Sequence, residues 1–213
     1  MTGTPYIAAV LLDLDGTLVD SVYLHVQTWQ QALREAGLDV PAWRVHAGIG
    51  MGSDRLVPWL LGRHTEQQSE LSDAHHRLFL ERADELRPTR GARELVEDLE
   101  RRKVPFTIAT SAKPPVRKAL LAALGRQDLD STDAGDVDSP KPAPDLLLAA
   151  CQELGVDPDR ATLVGDSPWD AEAAIKVGMR CLAVRTGGFG DDRLLDAGAD
   201  DVVDDPLALV GRL

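Results

Sequence analysis

The chain has 213 residues, 44% of them apolar, and a formal net charge of −12. That length suits one domain of ordinary size or a core domain with a smaller insertion. The acidic balance argues against a nucleic acid or an anionic membrane as the main partner, and leaves room for a small anionic ligand held by local cations.

Residues 1–5 lack a basic start and the apolar run behind them is short, so no signal peptide is expected. No apolar run reaches transmembrane length. The chain contains no Asn and therefore no N-glycosylation sequon. Cys151 and Cys181 fall in apolar helix-like and strand-like runs and read as buried thiols, not as a disulfide or metal site. A reducing cytoplasm fits these features; oligomeric state is not readable.

Residues 7–12 form a continuous apolar run, the pattern of a parallel strand buried on both faces. The run delivers Asp13-Leu14-Asp15-Gly16-Thr17. In extended backbone, Asp13 and Asp15 point to one side. Two carboxylates this close resist joint ionisation, and the apolar strand worsens their desolvation. A cation is expected there, and Mg²⁺ suits hard oxygen ligands beside a phosphate. One acid can then be a nucleophile and the other a proton donor and acceptor. Gly16 lets the chain turn sharply after Asp15.

The interval 17–103 is far longer than the dozen or so residues a crossover needs. It holds helical stretches over 22–36, 43–48, 53–61 and 66–85, with breaks at 39–41 and 87–91, and reads as an inserted helical domain. The expected division is a core over 1–17 and 89–213, with an insertion over 18–88. His75 and His76 lie in a polar stretch and read as a solvated helix face. His25 reads as a residue of the junction between insertion and core.

Further strand-like runs occur at 104–109, 161–164, 179–184 and 201–203. Helical stretches over 91–102, 115–124, 144–154, 170–177 and 191–197 alternate with them. Strands alternating with helices predict a doubly wound parallel α/β sheet, whose ligands bind at the carboxyl ends of the strands. Three polar groups sit at such ends. Thr110-Ser111 follows the second strand and suits a phosphate oxygen, although an N-cap would explain the threonine alone. Lys141, between Pro140 and Pro142, is a restrained cation able to neutralise phosphate charge. Asp166 and Asp170, in Gly165-Asp166-Ser167-Pro168-Trp169-Asp170, can reach the metal of Asp13; Asp170 also suits a helix cap, and Trp169 packing.

Asp13/Asp15, Thr110, Lys141 and Asp166/Asp170 resemble, in this order, the four motifs of the haloacid dehalogenase-like hydrolase superfamily. The interval 17–103 resembles the helical cap of its beta-phosphoglucomutase and phosphoglycolate phosphatase branch. The resemblance implies an Mg²⁺-dependent phosphatase acting on a small phosphorylated metabolite such as a sugar phosphate or phosphoglycolate. It implies Asp13 as the nucleophile that becomes an aspartyl-phosphate, and Asp15 as general acid and base. It implies a metal group of Asp13, Asp166, Asp170 and the backbone carbonyl of Asp15. Gly16, Thr110, Ser111 and Lys141 would meet the phosphoryl group, and Arg55 of the cap would meet the substrate.

The same resemblance weighs the alternatives. Dehalogenases of the superfamily lack an acid at the position of Asp15. Phosphonatase-like members use a cap lysine, and none occurs before Lys103. A non-catalytic regulatory module would be expected to lose Asp13, Asp15 or Lys141. A phosphomutase stays open as the second reading, but Met51 stands where the mutase cap places an arginine, and Arg55 lies one turn on.

Overall fold

The computed structural model describes residues 7–133 and 144–213. The chain runs from β1 (Ala9–Leu12) through β2 (Val19–Asp20) into four helices, α1 (Val22–Glu35), α2 (Ala42–Gly48), α3 (Ser53–Leu61) and α4 (Gln68–Glu81). It returns by β3 (Arg87–Pro88) to α5 (Ala92–Arg102), β4 (Phe106–Thr110), α6 (Pro114–Leu124) and β5 (Ser131–Asp133). It then continues through α7 (Asp145–Leu154), β6 (Ala161–Gly165), α8 (Pro168–Lys176), β7 (Arg180–Val184), α9 (Asp191–Asp196) and β8 (Asp201–Val203). Six strands form one parallel sheet in the order β5-β4-β1-β6-β7-β8. The fold is the predicted doubly wound α/β sheet.

Alternation along β1 explains why its whole run is apolar. Val10 and Leu12 face one layer with Leu95, Leu99, Val116 and Leu120 from α5 and α6. Leu11 faces the other with Leu146 and Leu147 of α7 and Ala171 and Ala174 of α8. Each fully buried leucine contributes about 1.5–3 kcal/mol relative to exposure.

Helices α1–α4 build a separate apolar cluster from Val22, Val26, Trp29, Leu33, Val45, Leu56, Leu60 and Leu71, among others. Leu24 of α1 and Phe79 of α4 instead join the cluster beside the sheet. The antiparallel pair β2–β3, with Val19 opposite Pro88 and Asp20 opposite Arg87, stands where the chain leaves and returns.

Two local expectations change. The helix expected over 66–85 is α4, followed by a 3-10 turn over Ala83–Glu85. Arg82 Nε donates to Glu85 Oε1 at 2.7 Å, an i,i+3 contact that the tighter turn favours. Strand β5 was not expected, because an edge strand reading Ser-Thr-Asp carries no apolar run.

Asp98 of α5 is a buried carboxylate that ties the helix to the end of the chain. It accepts from Gly211 N at 2.8 Å and Arg102 at 3.1 Å, and it pairs with Arg101. The Gly211 amide and then the two arginines hold its carboxyl below the usual carboxylate range, against the opposing effect of burial. Its contribution is therefore complete above about pH 4 and is lost as pH falls through the depressed native value. Asp98→Asn should lower the urea midpoint at pH 7, and the gap from the parent should narrow between pH 4 and pH 3; equilibrium unfolding at both ends checks this.

Candidate active site

The chain turns back on its sheet order at β1, with β4 and β5 on one side and β6, β7 and β8 on the other. Open α/β sheets bind ligands at such a switch, beyond the strand carboxyl ends. Because β1 and β6 pair in register with Leu12 opposite Val164, the residues that follow emerge side by side. Asp13 N still donates to Val164 O at 2.9 Å.

Asp13, Asp166 and Asp170 are buried, and each offers a carboxylate oxygen within 4.8 Å of the others. Thr17 Oγ1 lies 3.2 Å from Asp13 Oδ2 and 3.0 Å from Asp166 Oδ1, so one hydroxyl bridges two acids. Asp170 also accepts from Ser167 N at 3.1 Å and from Ser167 Oγ at 2.5 Å, and closes a capping box on α8. It serves its helix and the carboxylate group at once.

The carboxylate of Asp166 sits in a cradle that side chains would fill. A Cβ on Gly16 would stand 2.3 Å from Asp166 Oδ2, and one on Gly187 2.1 Å away. Gly16 also has φ +73°, a region that suits glycine, and its carbonyl accepts from Thr186 Oγ1 at 2.5 Å. Three buried carboxylates this close disfavour joint ionisation unless a cation joins them, and an all-oxygen donor set fits Mg²⁺.

Asp15 faces away from this group, toward the helices. Its Oδ1 accepts from Ser21 Oγ at 2.8 Å and lies 2.8 Å from His25 Nε2. His25 Nδ1 lies 3.2 Å from His75 Nε2, and His75 Nδ1 lies 3.0 Å from Thr28 Oγ1. The tautomers follow from the far end of this chain. Thr28 spends its single proton on the Leu24 carbonyl at 2.8 Å, so it accepts from His75 Nδ1. Burial first, and then the facing His25, hold the His75 imidazole well below its ordinary value of 6.5, so it is neutral at pH 7. Neutral His75 accepts at Nε2 and His25 therefore donates from Nδ1, which turns His25 Nε2 toward Asp15 Oδ1.

A cavity of about 780 Å³ joins these groups. Asp13, Asp15, Asp166 and Asp170 line one end, and residues of α1, α4 and the α2–α3 loop line the other. The loop approaches the core closely: a Cβ on Gly50 would stand 2.6 Å from Ser167 Oγ. On the flank, His46 Nε2 donates to the Gly187 carbonyl at 2.8 Å, and its ring stacks between Tyr23 and Phe189.

Ser111 lines the cavity; Thr110 is fully buried below it, and its Oγ1 accepts from Ala112 N at 3.1 Å. Arg55 lies exposed on α3 and does not line the cavity, whereas Asp54 beside it does. Lys141 lies outside the described residues. His75, expected on a solvated face, is 3% exposed and stacks on Trp29 at 4.2 Å. Both thiols are buried, and burial pushes Cys151 up to about 11. Sequence reasoning gave no site role to Thr17, Ser72, His75 or Lys113. The signal for His75 was present: Leu71, His75, Leu78 and Phe79 repeat at helical spacing.

Residues 7–178 match the family model of the haloacid dehalogenase-like hydrolases. A phosphoglycolate phosphatase of Chromobacterium violaceum is 33% identical over 206 residues, 90% of this chain and 90% of the relative. The fructose-1-phosphate phosphatase YqaB of Escherichia coli K12 is 29% identical over 192 residues, 84% of this chain and 96% of the relative. A crystal structure of a hydrolase from Pseudomonas syringae superposes with a TM-score of 0.92 at 33% identity, covering 95% of each chain. With a parallel sheet that gathers acids at its switch point and a helical insertion after the first of them, the chain belongs to the haloacid dehalogenase-like hydrolase family, in the branch that holds the phosphoglycolate phosphatases.

Proposed function

We propose that the chain is an Mg²⁺-dependent phosphatase that hydrolyses a small phosphomonoester through an aspartyl-phosphate on Asp13. The observation that carries this reading is the joining of two functions in one cavity. A buried carboxylate group suited to a divalent cation lies at its floor, and Asp15, 2.8 Å from His25 Nε2, lies beside it.

In the first step an Asp13 oxygen attacks phosphorus and the bond to the ester oxygen breaks. Asp15 gives its proton to that leaving oxygen. In the second step water attacks the acyl-phosphate, Asp15 takes its proton, and Asp13 is released with inorganic phosphate. Asp13, Asp166, Asp170 and the backbone carbonyl of Asp15 would hold Mg²⁺, which supplies charge neutralisation for the phosphoryl oxygens. Ser111 would meet the phosphate from the cavity wall, backed by Thr110 and Gly16, and the motif resemblance alone assigns Lys141 to the same charge. Residues 18–88 act as a cap that excludes water and presents its own side chains to the leaving group. The ladder from Thr28 through His75 and His25 orients the imidazole that meets Asp15.

A phosphomutase must hold a second phosphate in the cap, and Arg55 stands outside the cavity. The phosphatase is therefore preferred. Glucose 1-phosphate should release inorganic phosphate or stay intact without yielding glucose 6-phosphate; formation of the isomer would establish the mutase instead.

Asp13→Asn should remove measurable turnover of p-nitrophenyl phosphate while leaving the circular dichroism spectrum intact, and retained turnover would exclude Asp13 as nucleophile. Asp15→Asn should slow turnover by roughly two or more orders of magnitude with phosphate binding kept. Mg²⁺ should raise the melting temperature of the parent by mass action. Gly187→Ala, which pushes on the Asp166 carboxylate, should weaken Mg²⁺ binding by about 10–100-fold in a calorimetric titration.

A further inference from the structure

The end of the cavity away from the carboxylates carries a charge pattern of its own. Trp29, Ile49, Met51 and Leu56 give it apolar surface, and Ser53, Gln68, Ser69 and Ser72 give it neutral polar groups. Asp54 and Glu66 add two acids. Among the described lining residues Lys113 is the single Lys or Arg, and it comes from the core side, where it faces Asp73 at 3.9 Å.

The two histidines of this wall do not supply the missing charge. Burial, then Lys113 and His25, pushes His76 down to about 4, despite the opposing pull of Asp73 and Asp15. His75 is neutral at pH 7 for the reasons given above. A second anionic group on the substrate would thus meet two carboxylates and no cation of the cap; Lys113, the one described cation within reach, already faces Asp73.

One polar atom of the wall is unsatisfied. Ser72 is 4% exposed, lines the cavity, and its Oγ has no hydrogen-bond partner among the described residues. A buried hydroxyl without a partner is costly, and a ligand hydroxyl reaching it would remove that cost. Ser72 lies one turn before His75 and His76, so the polar groups of α4 form one strip. Trp29, buried in the helical cluster and stacked on His75, packs behind the strip and holds it in place.

Resting on the phosphatase reading, we infer that the alcohol released is an uncharged polyol or sugar, that Ser72 hydrogen-bonds one of its hydroxyls, and that esters bearing a carboxylate or a second phosphate are rejected. Specificity of this kind comes as much from groups placed against the wrong ligand as from contacts to the right one.

Matched pairs test the inference on the full chain with Mg²⁺. They are 2-hydroxyethyl phosphate against 2-phosphoglycolate, glucitol 6-phosphate against 6-phosphogluconate, and fructose 1-phosphate against fructose 1,6-bisphosphate. The neutral member of each pair should have the higher kcat/KM, by at least about tenfold given two nearby acids. Ser72→Ala should lower kcat/KM for the preferred polyol ester by about five- to tenfold more than for p-nitrophenyl phosphate. Asp54→Lys, at an exposed position, should narrow the gap within each pair. Hydrolysis of p-nitrophenyl phosphate with equal or faster turnover of the anionic members would overturn the inference alone. So would a Ser72→Ala loss shared equally by the aryl and polyol esters. Failure to hydrolyse any member, p-nitrophenyl phosphate included, would overturn the phosphatase reading and this inference with it.

Discussion

The rest of the site depends on the crowding of Asp13, Asp166 and Asp170. Three buried carboxylates with oxygens inside 4.8 Å are unfavourable in an apolar sheet, and the neighbouring residues manage that cost. Thr17 gives a hydroxyl between two of them. Gly16 and Gly187 stay without side chains so that Asp166 fits, and Thr186 fastens the Gly16 turn. Ser167 and Asp170 close the start of α8 and fix the third acid. A cation that satisfies all three would stabilise the folded chain as well as prepare it for reaction, because the unfolded chain offers no such group.

The sheet itself was legible because a strand buried on both faces needs a mostly apolar run: β1 has an unbroken one, and β4, β6 and β7 have one interrupted only by threonine or begun by Arg180. β5 was not, since a short edge strand needs no such run. The motif acids were legible one by one through the residues around them. Their meeting was not, because Asp13 and Asp166 become neighbours only through the pairing of β1 with β6, which no local pattern encodes. The wall of the cavity was hardest. Polarity made α4 look solvated, whereas the helical spacing of Leu71, His75, Leu78 and Phe79 turns His75 inward. Arg55 failed to reach the cavity for a similar reason: one residue on a helix is 100° of rotation, and Asp54 holds the inward position.

Asp15 belongs to the core by sequence and to the helices by its contacts. Ser21 and His25 follow it within ten residues, but His25 is set by His75, and His75 by Thr28. The acid and its proton partner are therefore oriented only while α1 and α4 stay packed. Leu24 and Phe79 anchor those same helices on the apolar layer beside the sheet, and the His25 ring stacks on Phe79 at 4.1 Å. Packing and proton position are thus one arrangement. A change that loosened α4 against α1 would disturb Asp15 without touching it.

The two ends of the cavity ask opposite things of charge. At the core end, anionic side chains suit a cation, and with it a phosphate. At the far end, Asp54 and Glu66 are joined by neutral groups, and burial keeps the imidazoles of His75 and His76 uncharged at pH 7. The chain's overall charge of −12 gives no hint of this division, because it is a property of which side chains face inward. The helical wall can therefore read charge on the leaving group without a dedicated binding residue for it: a neutral alcohol gains hydrogen bonds there, while an anion loses its water and finds no lining cation on these helices.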